Sequence, residues 1–228
     1  MQLYDLAGRD PEHRFSPYCW RSRLALAHKG VEAEIIPWRF TDKPAIAFSG
    51  QGKVPILVDD ATVIVDSTRI ADYLEAKYPD RPSLFGGPEA RALTGFIVTW
   101  TDLVLLPALV RCYVSDIVRH LDERDRGYFR ETREARFGMT LEATTSDRDT
   151  KLPALRQMLA PLRQILGQQA YLGGAEPLYA DYVVFGGFQW VRMVSRFEIL
   201  EEDDPVRAWR ERMLDAHAGL ARQAPCCT

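Results

Sequence analysis

Ser16 is a hydroxyl side chain placed directly before a proline, in the run Ser16-Pro17-Tyr18-Cys19-Trp20. Pro17 suits the first position of a helix, where its missing N–H costs nothing. The free N–H groups of a first helical turn, together with the helix dipole, favour a bound anion. A serine there can donate its hydroxyl hydrogen to an anion such as a thiolate. Ser16 is therefore a candidate anion-binding residue, and an ordinary helix N-cap is the simpler alternative.

Two other short motifs have the chemistry to hold a small ligand. Val54-Pro55 begins an apolar run, and a cis bond there would turn the backbone of Val54 outward, where an extended peptide could pair with it. Asp66-Ser67 precedes a helical run, so its hydroxyl and the following N–H groups form a second anion site. Capping that helix is compatible with binding an anion.

The first 79 residues contain alternating strand and helix patterns that would position these motifs. We expect strands at 3–6, 34–37, 55–58 and 63–65, with helices over Pro17–His28, 42–48 (capped by Thr41) and from Asp66-Ser67 to Tyr78. The first two strands should be parallel, and the last two should form an antiparallel hairpin. This order predicts a small α/β domain over residues 1–79.

The rest of the chain lacks strand alternation. Residues 80–87 are rich in turn formers and are expected to be a linker. Residues 88–228 are expected to form an all-helical domain, with Pro107 kinking the first helical stretch. The predicted helices cover 88–120, 125–143, 155–168, a buried helix over 181–197, and 205–220.

Composition excludes several classes of function. The net charge of −3 and the absence of a Lys/Arg stripe argue against nucleic-acid binding. No leader pattern or spanning segment is apparent, so no membrane association is expected. The histidines show no metal-ligand spacing, and no metal is expected. Four scattered cysteines are too few for a disulfide framework, which favours a reduced, cytoplasmic protein: Cys19, Cys112, Cys226 and Cys227.

The three motifs lie at strand ends on one face of the predicted sheet. Together they suit a short peptide with a thiolate, an amide core and a carboxylate, a description that glutathione fits. On these motifs the whole chain resembles the cytosolic glutathione transferases. The resemblance implies a thioredoxin-like domain, a linker and a helical domain, with glutathione as cosubstrate, a hydrophobic and aromatic electrophile, and a homodimer.

The resemblance also implies roles for individual residues. Ser16 would hold the glutathione thiolate and lower its pKa. Val54 and Pro55 would form the family's cis-proline element, and Asp66 and Ser67 would hold the γ-glutamyl end. Lys53 would pair with the glycine carboxylate. In this family a Ser or Thr usually caps the buried helix at the position of Leu178, so that cap is expected to be missing here at a cost of about 1 kcal/mol.

Within the family, several segments resemble the bacterial β-etherases, which cleave lignin-derived aryl ethers: Ser16 to Arg21, Val58 to Asp60, Tyr78 to Pro82, Arg111 to Tyr113 and Glu202 to Pro205. If that resemblance extends to activity, a phenolate leaves from the carbon beside a benzylic ketone. Tyr18, Arg111 and Tyr113 are the candidate lining of the electrophile pocket.

Other interpretations remain open at this point. Ser16 and Cys19 have the spacing of a dithiol motif, but Cys19 is expected to be buried and inert. A thiol transferase or lyase would normally carry Cys at position 16. A non-catalytic module that only binds glutathione or another ligand would keep the same fold. The mixed-charge segment 122–136 is most simply a solvated start of a helix.

Overall fold

The computed structural model describes residues 1–227 and begins with one mixed β-sheet. Its strands are β1 (Gln2–Leu6), β2 (Glu34–Trp38), β3 (Ile56–Asp59) and β4 (Thr62–Val65), in the order β2-β1-β3-β4. β1 and β2 are parallel, with Leu3 opposite Ile35, whereas the β1–β3 and β3–β4 pairs are antiparallel. The predicted strand directions are confirmed.

Two helices pack on this sheet and carry the motifs found in the sequence. α1 (Pro17–His28) begins with the hydroxyl of Ser16 accepting the N–H of Cys19, at 3.2 Å. α2 (Ser67–Lys77) begins at Asp66, whose carboxylate accepts the N–H groups of Thr68 and Arg69. Both helices start where the polar residue precedes the apolar run, as expected for N-caps.

The predicted helix at 42–48 is instead a 3₁₀-helix over Lys43–Ser49, and Thr41 does not cap it. The Thr41 hydroxyl donates to the carboxylate of Asp125, at 2.7 Å. The same buried carboxylate also accepts the N–H groups of Phe40 and Thr41. The Thr41 hydroxyl, which the local sequence predicted to cap a helix, is thus bonded to a residue that is distant in the sequence.

The remainder of the described chain is helical. Its α-helices are α3 (Pro88–Trp100), α4 (Leu106–Tyr113), α5 (Glu123–Phe137), α6 (Leu141–Thr145), α7 (Arg148–Met158), α8 (Ala160–Leu166), α9 (Tyr179–Val194) and α10 (Pro205–Gly219). The sheet with its two helices, followed by this helical part, confirms the predicted fold class. In place of the single helix predicted over 125–143, the structure has α5 and α6. The region predicted as one helix over 155–168 is divided between α7 and α8.

The stretch expected to kink at Pro107 contains an irregular turn just before that proline. Residues Thr101–Leu105 form a π-helical turn between α3 and α4, and Val114–His120 continue as a 3₁₀-helix. A π-helical turn is one of the ways in which a helix accommodates an interruption of its hydrogen-bond ladder.

α9 is the buried centre of the helical part and packs closely on α1. At Gly186 an added Cβ would lie 2.4 Å from the carbonyl oxygen of Pro17, so only glycine allows this approach. As expected, Leu178 offers no side-chain cap to α9. Asp181 compensates, since its buried carboxylate accepts the N–H groups of Leu172, Gly173 and Leu178 and the indole N–H of Trp209.

The stretch Pro88–His120 is long and apolar enough, by length and composition, to span a membrane; only 28% of its most apolar window is buried. The core helix of a soluble protein can pass the same test. Leu93, Phe96 and Leu103 are 72%, 69% and 71% exposed and lie about one or two helical turns apart. We call this exposed group the α3 apolar face.

Candidate functional site

Ser16 lies directly before α1 and lines a cavity. The side chain is 4% exposed, and its oxygen accepts one hydrogen bond, from the N–H of Cys19. A hydroxyl oxygen that accepts from a helix N–H still carries its own hydrogen. That hydrogen is available to a ligand in the adjoining cavity.

This cavity has a volume of about 470 Å³ and lies between the sheet domain and the helical domain. We call it the Ser16 cavity. Four of the residues predicted from sequence line it: Ser16, Tyr18, Lys53 and Val54. Its size and mixed lining are those of a site for a small molecule, since such sites span roughly 300–1,000 Å³.

The Val54-Pro55 bond is cis, as the motif suggested. Val54 lines the Ser16 cavity, whereas the buried Pro55 leads into β3. Lys53 is exposed beside them at the rim of the cavity.

Asp66 and Ser67 lie at the N-terminus of α2 and do not line the Ser16 cavity as defined by residues 1–227. Asp66 has a positive φ of 80°, which is uncommon for a residue with a side chain. The hydroxyl of Ser67 is buried and has no hydrogen-bond partner among the described residues.

Arg111 and Tyr113 were predicted to face the electrophile pocket, and among the described residues neither lines the Ser16 cavity. Tyr113 is 1% exposed and donates its hydroxyl to the carbonyl of Phe197, at 2.7 Å. Arg111 is exposed and, like Tyr113, does not contribute to the Ser16 cavity outlined by the described residues. The face of α4 and the following 3₁₀-helix that reaches this cavity carries Leu106, Pro107, Val110, Val114 and Ile117.

Helical geometry accounts for the different placement of these two residues. Each residue turns an α-helix by about 100°, so positions 111 and 113 point roughly 200° apart and cannot share one face. Val110 and Val114 are separated by about one turn and do share the cavity-facing side.

The sequence analysis missed the opposite wall of the cavity, which α5 supplies. Arg133 and Arg136 line the cavity from that helix, together with Tyr128, Phe129 and Phe137. Lys43 adds a third cation from the 3₁₀-helix, with its ammonium 4.8 Å from the centre of the Trp38 ring. The spacing of positions 129, 133, 136 and 137, which places them on one helical face, could have indicated this wall. The mixed charge of 122–136 instead favoured a solvated helix.

Arg21 and Asp102 form an ion pair just behind Tyr18. The guanidinium Nη2 of the buried Arg21 donates to Asp102 Oδ1 at 2.6 Å, and the guanidinium carbon lies 4.6 Å from the Tyr18 ring centre. Asp102 also lines the Ser16 cavity. The pair therefore joins α1 to the π-helical turn and fixes the ring of Tyr18 at the cavity wall.

Cys19 is fully buried, as predicted. Burial raises the pKa of its thiol well above the ordinary value, and the nearby carboxylate of Asp5 raises it further. A protonated, buried thiol is a poor nucleophile. Cys19 thus has the properties of an inert core residue.

A larger cavity of about 570 Å³ lies elsewhere, lined by Arg9, Asp10, His13, Arg119, His120, Arg196, Pro225, Cys226 and Cys227. None of the predicted site residues contributes to it. Within residues 1–227, no group of three or more His, Cys, Asp or Glu side chains is arranged to hold a metal ion.

Comparison with known families gives two matches that together span most of the chain. Residues 11–82 match the sequence model described as glutathione S-transferase, N-terminal domain. Residues 92–215 match the one described as glutathione S-transferase, C-terminal domain. The first match contains Ser16, the cis-proline pair and Asp66-Ser67.

Individual relatives are distant but extend over nearly the full chain. The glutathione S-transferase omega-1 of Sus scrofa is 22% identical over 204 residues, which cover 88% of this chain and 74% of that protein. The structure of glutathione transferase GSTFuA3 from Phanerochaete chrysosporium is similar with a TM-score of 0.75 at 25% identity, covering 96% and 92% of the two chains. The glutathione S-transferase CsGST63524 of Ceriporiopsis subvermispora, solved in complex with glutathione, has a TM-score of 0.81 at 23% identity, covering 100% and 98%.

Proposed function

We propose a glutathione-dependent transferase activity for this chain, which belongs to the glutathione S-transferase family. Glutathione binds along the sheet domain, and its sulfur attacks an electrophilic carbon held in the Ser16 cavity. The observation that carries the proposal is the position of the Ser16 hydroxyl. It lies at the start of α1, accepts the N–H of Cys19 and borders the cavity.

The role of Ser16 follows from its hydrogen bonding. Its oxygen accepts the N–H of Cys19 and keeps its own hydrogen, which it can turn toward a ligand in the cavity. A hydrogen bond to the charged form of a thiol lowers the pKa of that thiol from about 8.5. The N-terminus of α1 adds a favourable dipole. The attacking sulfur belongs to glutathione, and the protein makes more of it ionised.

The other predicted residues bind the two ends of glutathione. The Val54 backbone pairs with the amide core, Lys53 neutralises the glycine carboxylate, and Ser67 with Asp66 holds the γ-glutamyl end. The position of Asp66 and Ser67 at the N-terminus of α2, where free N–H groups favour an anion, supports the last assignment. Lys43, which sequence reasoning missed, also lines the cavity and adds positive charge to it.

Replacing Ser16 with Ala tests the proposed mechanism. A lost hydrogen bond to a charged group is worth about 1.5–3 kcal/mol, so kcat/KM for a generic chloronitroarene should fall about 10- to 100-fold at neutral pH. The pKa of bound glutathione, read from the pH profile, should rise. Ser22→Ala is the matched control, since it removes another buried hydroxyl of α1 outside the cavity. Unchanged kcat/KM in Ser16→Ala would contradict the mechanism.

Two alternatives use the same fold. A non-catalytic module would be retained on immobilised glutathione but would conjugate no electrophile. A thiol transferase or lyase would exchange glutathione with a mixed disulfide. The buried Cys19 does not support the thiol transferase, because its thiol is protonated and away from the cavity.

The finer proposal is that the electrophile is a β-aryl ether, cleaved with a phenolate as leaving group. It is supported by the sequence segments that resemble bacterial β-etherases and by the aromatic lining of the cavity. Glutathione-dependent release of phenol from an aryl-ether ketone tests it. Conjugation of chloronitroarenes without release of phenol would be consistent with the transferase activity but would exclude a β-aryl ether as the substrate.

The final part of the proposal is a cytoplasmic homodimer that covers the α3 apolar face. Three large side chains exposed on one face favour a protein partner, and a second copy is the one that the family suggests. Phe96→Glu should convert the dimer to a monomer in analytical ultracentrifugation. Ile165→Glu, at an exposed apolar position of α8, should leave the dimer intact. A wild-type protein that sediments as a monomer would refute it.

A further inference from the structure

Two cations on the α5 wall of the Ser16 cavity have no carboxylate partner. Arg133 and Arg136 both line the cavity, and within residues 1–227 neither forms an ion pair. Arg130, on the same helix but outside the cavity, is paired with Glu134 and Glu142. The helix thus pairs its outer arginine and leaves the two that face the cavity available.

Arg133 is held in place by aromatic rings. Its guanidinium carbon lies 4.9 Å from the centre of the Phe40 ring and 4.6 Å from that of Phe129. Nη1 donates to the Thr132 hydroxyl at 2.7 Å, which leaves other N–H groups of the fork for a ligand. A positioned guanidinium loses little entropy on binding an anion.

Arg136 lines the same cavity as Ser16 and Tyr18. Burial raises the pKa of the Tyr18 hydroxyl and Asp102 raises it further, whereas Arg21 and Arg136 lower it. The cation therefore borders the cavity in which the sulfur would react. Of the carboxylates, Asp102 also lines the cavity, but it is already paired with Arg21.

We infer that the electrophile is an aromatic compound carrying a carboxylate or a similar anionic group, which Arg133 and Arg136 bind. The inference rests on the proposed transferase function and specifies its substrate class. The rings of Phe40, Phe129 and Tyr128 take the apolar body of such a compound, and the two guanidinium groups take its charge. Lys43, whose ammonium lies 5.4 Å from the centre of the Tyr128 ring, and Lys53 at the rim also line the cavity. Lys53 remains for the carboxylate of glutathione.

The test compares a chlorodinitrobenzoate, with its chlorine para to the carboxylate, with the methyl ester of the same acid. In both, the glutathione thiolate forms a bond to the ring carbon, the carbon–chlorine bond breaks, and chloride leaves with the bonding pair. The thiol proton goes to solvent, and the carboxylate or ester is unchanged. Each kcat/KM is divided by the uncatalysed rate with glutathione, so that only recognition by the protein is compared.

The wild-type protein should prefer the acid. Since a charge-assisted hydrogen bond is worth about 1.5–3 kcal/mol, Arg133→Met or Arg136→Met should each reduce the acid-to-ester ratio about 10-fold or more. Because the ratio is taken within one variant, a loss common to both compounds cancels, and thermal unfolding followed by circular dichroism shows whether each variant is folded. Arg133→Lys should restore part of the preference, and Arg130→Gln should leave the ratio unchanged.

The possible outcomes distinguish a failure of the substrate inference from a failure of the proposed transferase function. Turnover of neither compound would refute the transferase function itself. Equal turnover of both in the wild type, or equal losses for both in the arginine variants, would overturn the inference alone. A rise in KM for glutathione, with no change in the acid-to-ester ratio, would assign these arginines to glutathione and would likewise overturn it.

Discussion

Two neighbouring polar side chains of α1 differ in reactivity because their surroundings differ. Ser16 borders the cavity and accepts a helix N–H, whereas Cys19 lies one turn further inside the protein. Desolvation disfavours a thiolate, so burial keeps the Cys19 thiol protonated. A sequence shows the spacing of these residues but not which of them faces solvent.

This contrast predicts selective alkylation of the cysteines. In the folded protein at neutral pH, iodoacetamide should modify the half-buried Cys226 and Cys227 and leave Cys19 unmodified. Peptide mass spectrometry measures the extent at each position. A urea-unfolded sample is the control, in which Cys19 should react as well. Rapid modification of native Cys19 would show that the helix opens or that the thiol reaches the cavity.

At the scale of secondary-structure elements, the close contact of α9 with α1 determines where Ser16 stands. Gly186 lies against the carbonyl of Pro17, the residue directly after Ser16. A side chain at 186 must push the first turn of α1 away from α9. The position of the reactive hydroxyl thus depends on a glycine that is 170 residues away in the sequence.

Gly186→Ala should therefore impair both stability and activity. Overpacking in a core costs about 1–3 kcal/mol, and displacement of Pro17 should lower kcat/KM along with the free energy of unfolding. Gly127→Ala is the matched control on α5, where no atom lies within 4 Å of the added Cβ. It should stabilise the protein by about 0.5–1 kcal/mol. Urea denaturation and a conjugation assay measure the two effects, and a fully active Gly186→Ala would contradict this account.

Elements were predictable where local chemistry determines them. The bounds of α1 and the strand directions follow from Ser16-Pro17, from the apolar runs and from the handedness of the crossover. Thr41 was misassigned because its partner, Asp125, is far away in the sequence, and the bond from Tyr113 to Phe197 is equally non-local. The α5 wall was missed for the same reason: the face that a helix presents to another domain is a tertiary property.

At the scale of the whole molecule, a chain of hydrogen bonds joins the sheet domain to the last helices. The Tyr182 hydroxyl of α9 lies 2.6 Å from Nδ1 of His28 in α1 and 2.8 Å from Nε2 of His217. With one hydrogen to give, it donates to one imidazole and accepts from the other. Burial lowers the pKa of His28, and burial with the nearby His28 lowers that of His217 to about 4.

These depressed pKa values make the fold sensitive to acid. The unfolded chain binds protons at His217 near pH 6.5 and the folded chain only near pH 4, so stability is full above pH 6.5 and falls as the pH drops toward 4. The Tm should decrease across this window. His217→Gln keeps an acceptor for Tyr182 but does not titrate, so its Tm should fall less while matching the wild type near pH 7.5. If the Tm of the variant and that of the wild type fell in parallel as the pH decreased, His217 would not be the source of the acid sensitivity.

The contact between Asp125 and the Phe40–Thr41 backbone has a consequence for recombination between relatives. Phe40 belongs by sequence to the sheet domain, yet three hydrogen bonds fasten its segment to α5. A chimera that takes its helical domain from another transferase would separate these partners if the crossover were placed in the linker. To transfer substrate preference intact, such a chimera should inherit residues 40–43 together with the donor's α5.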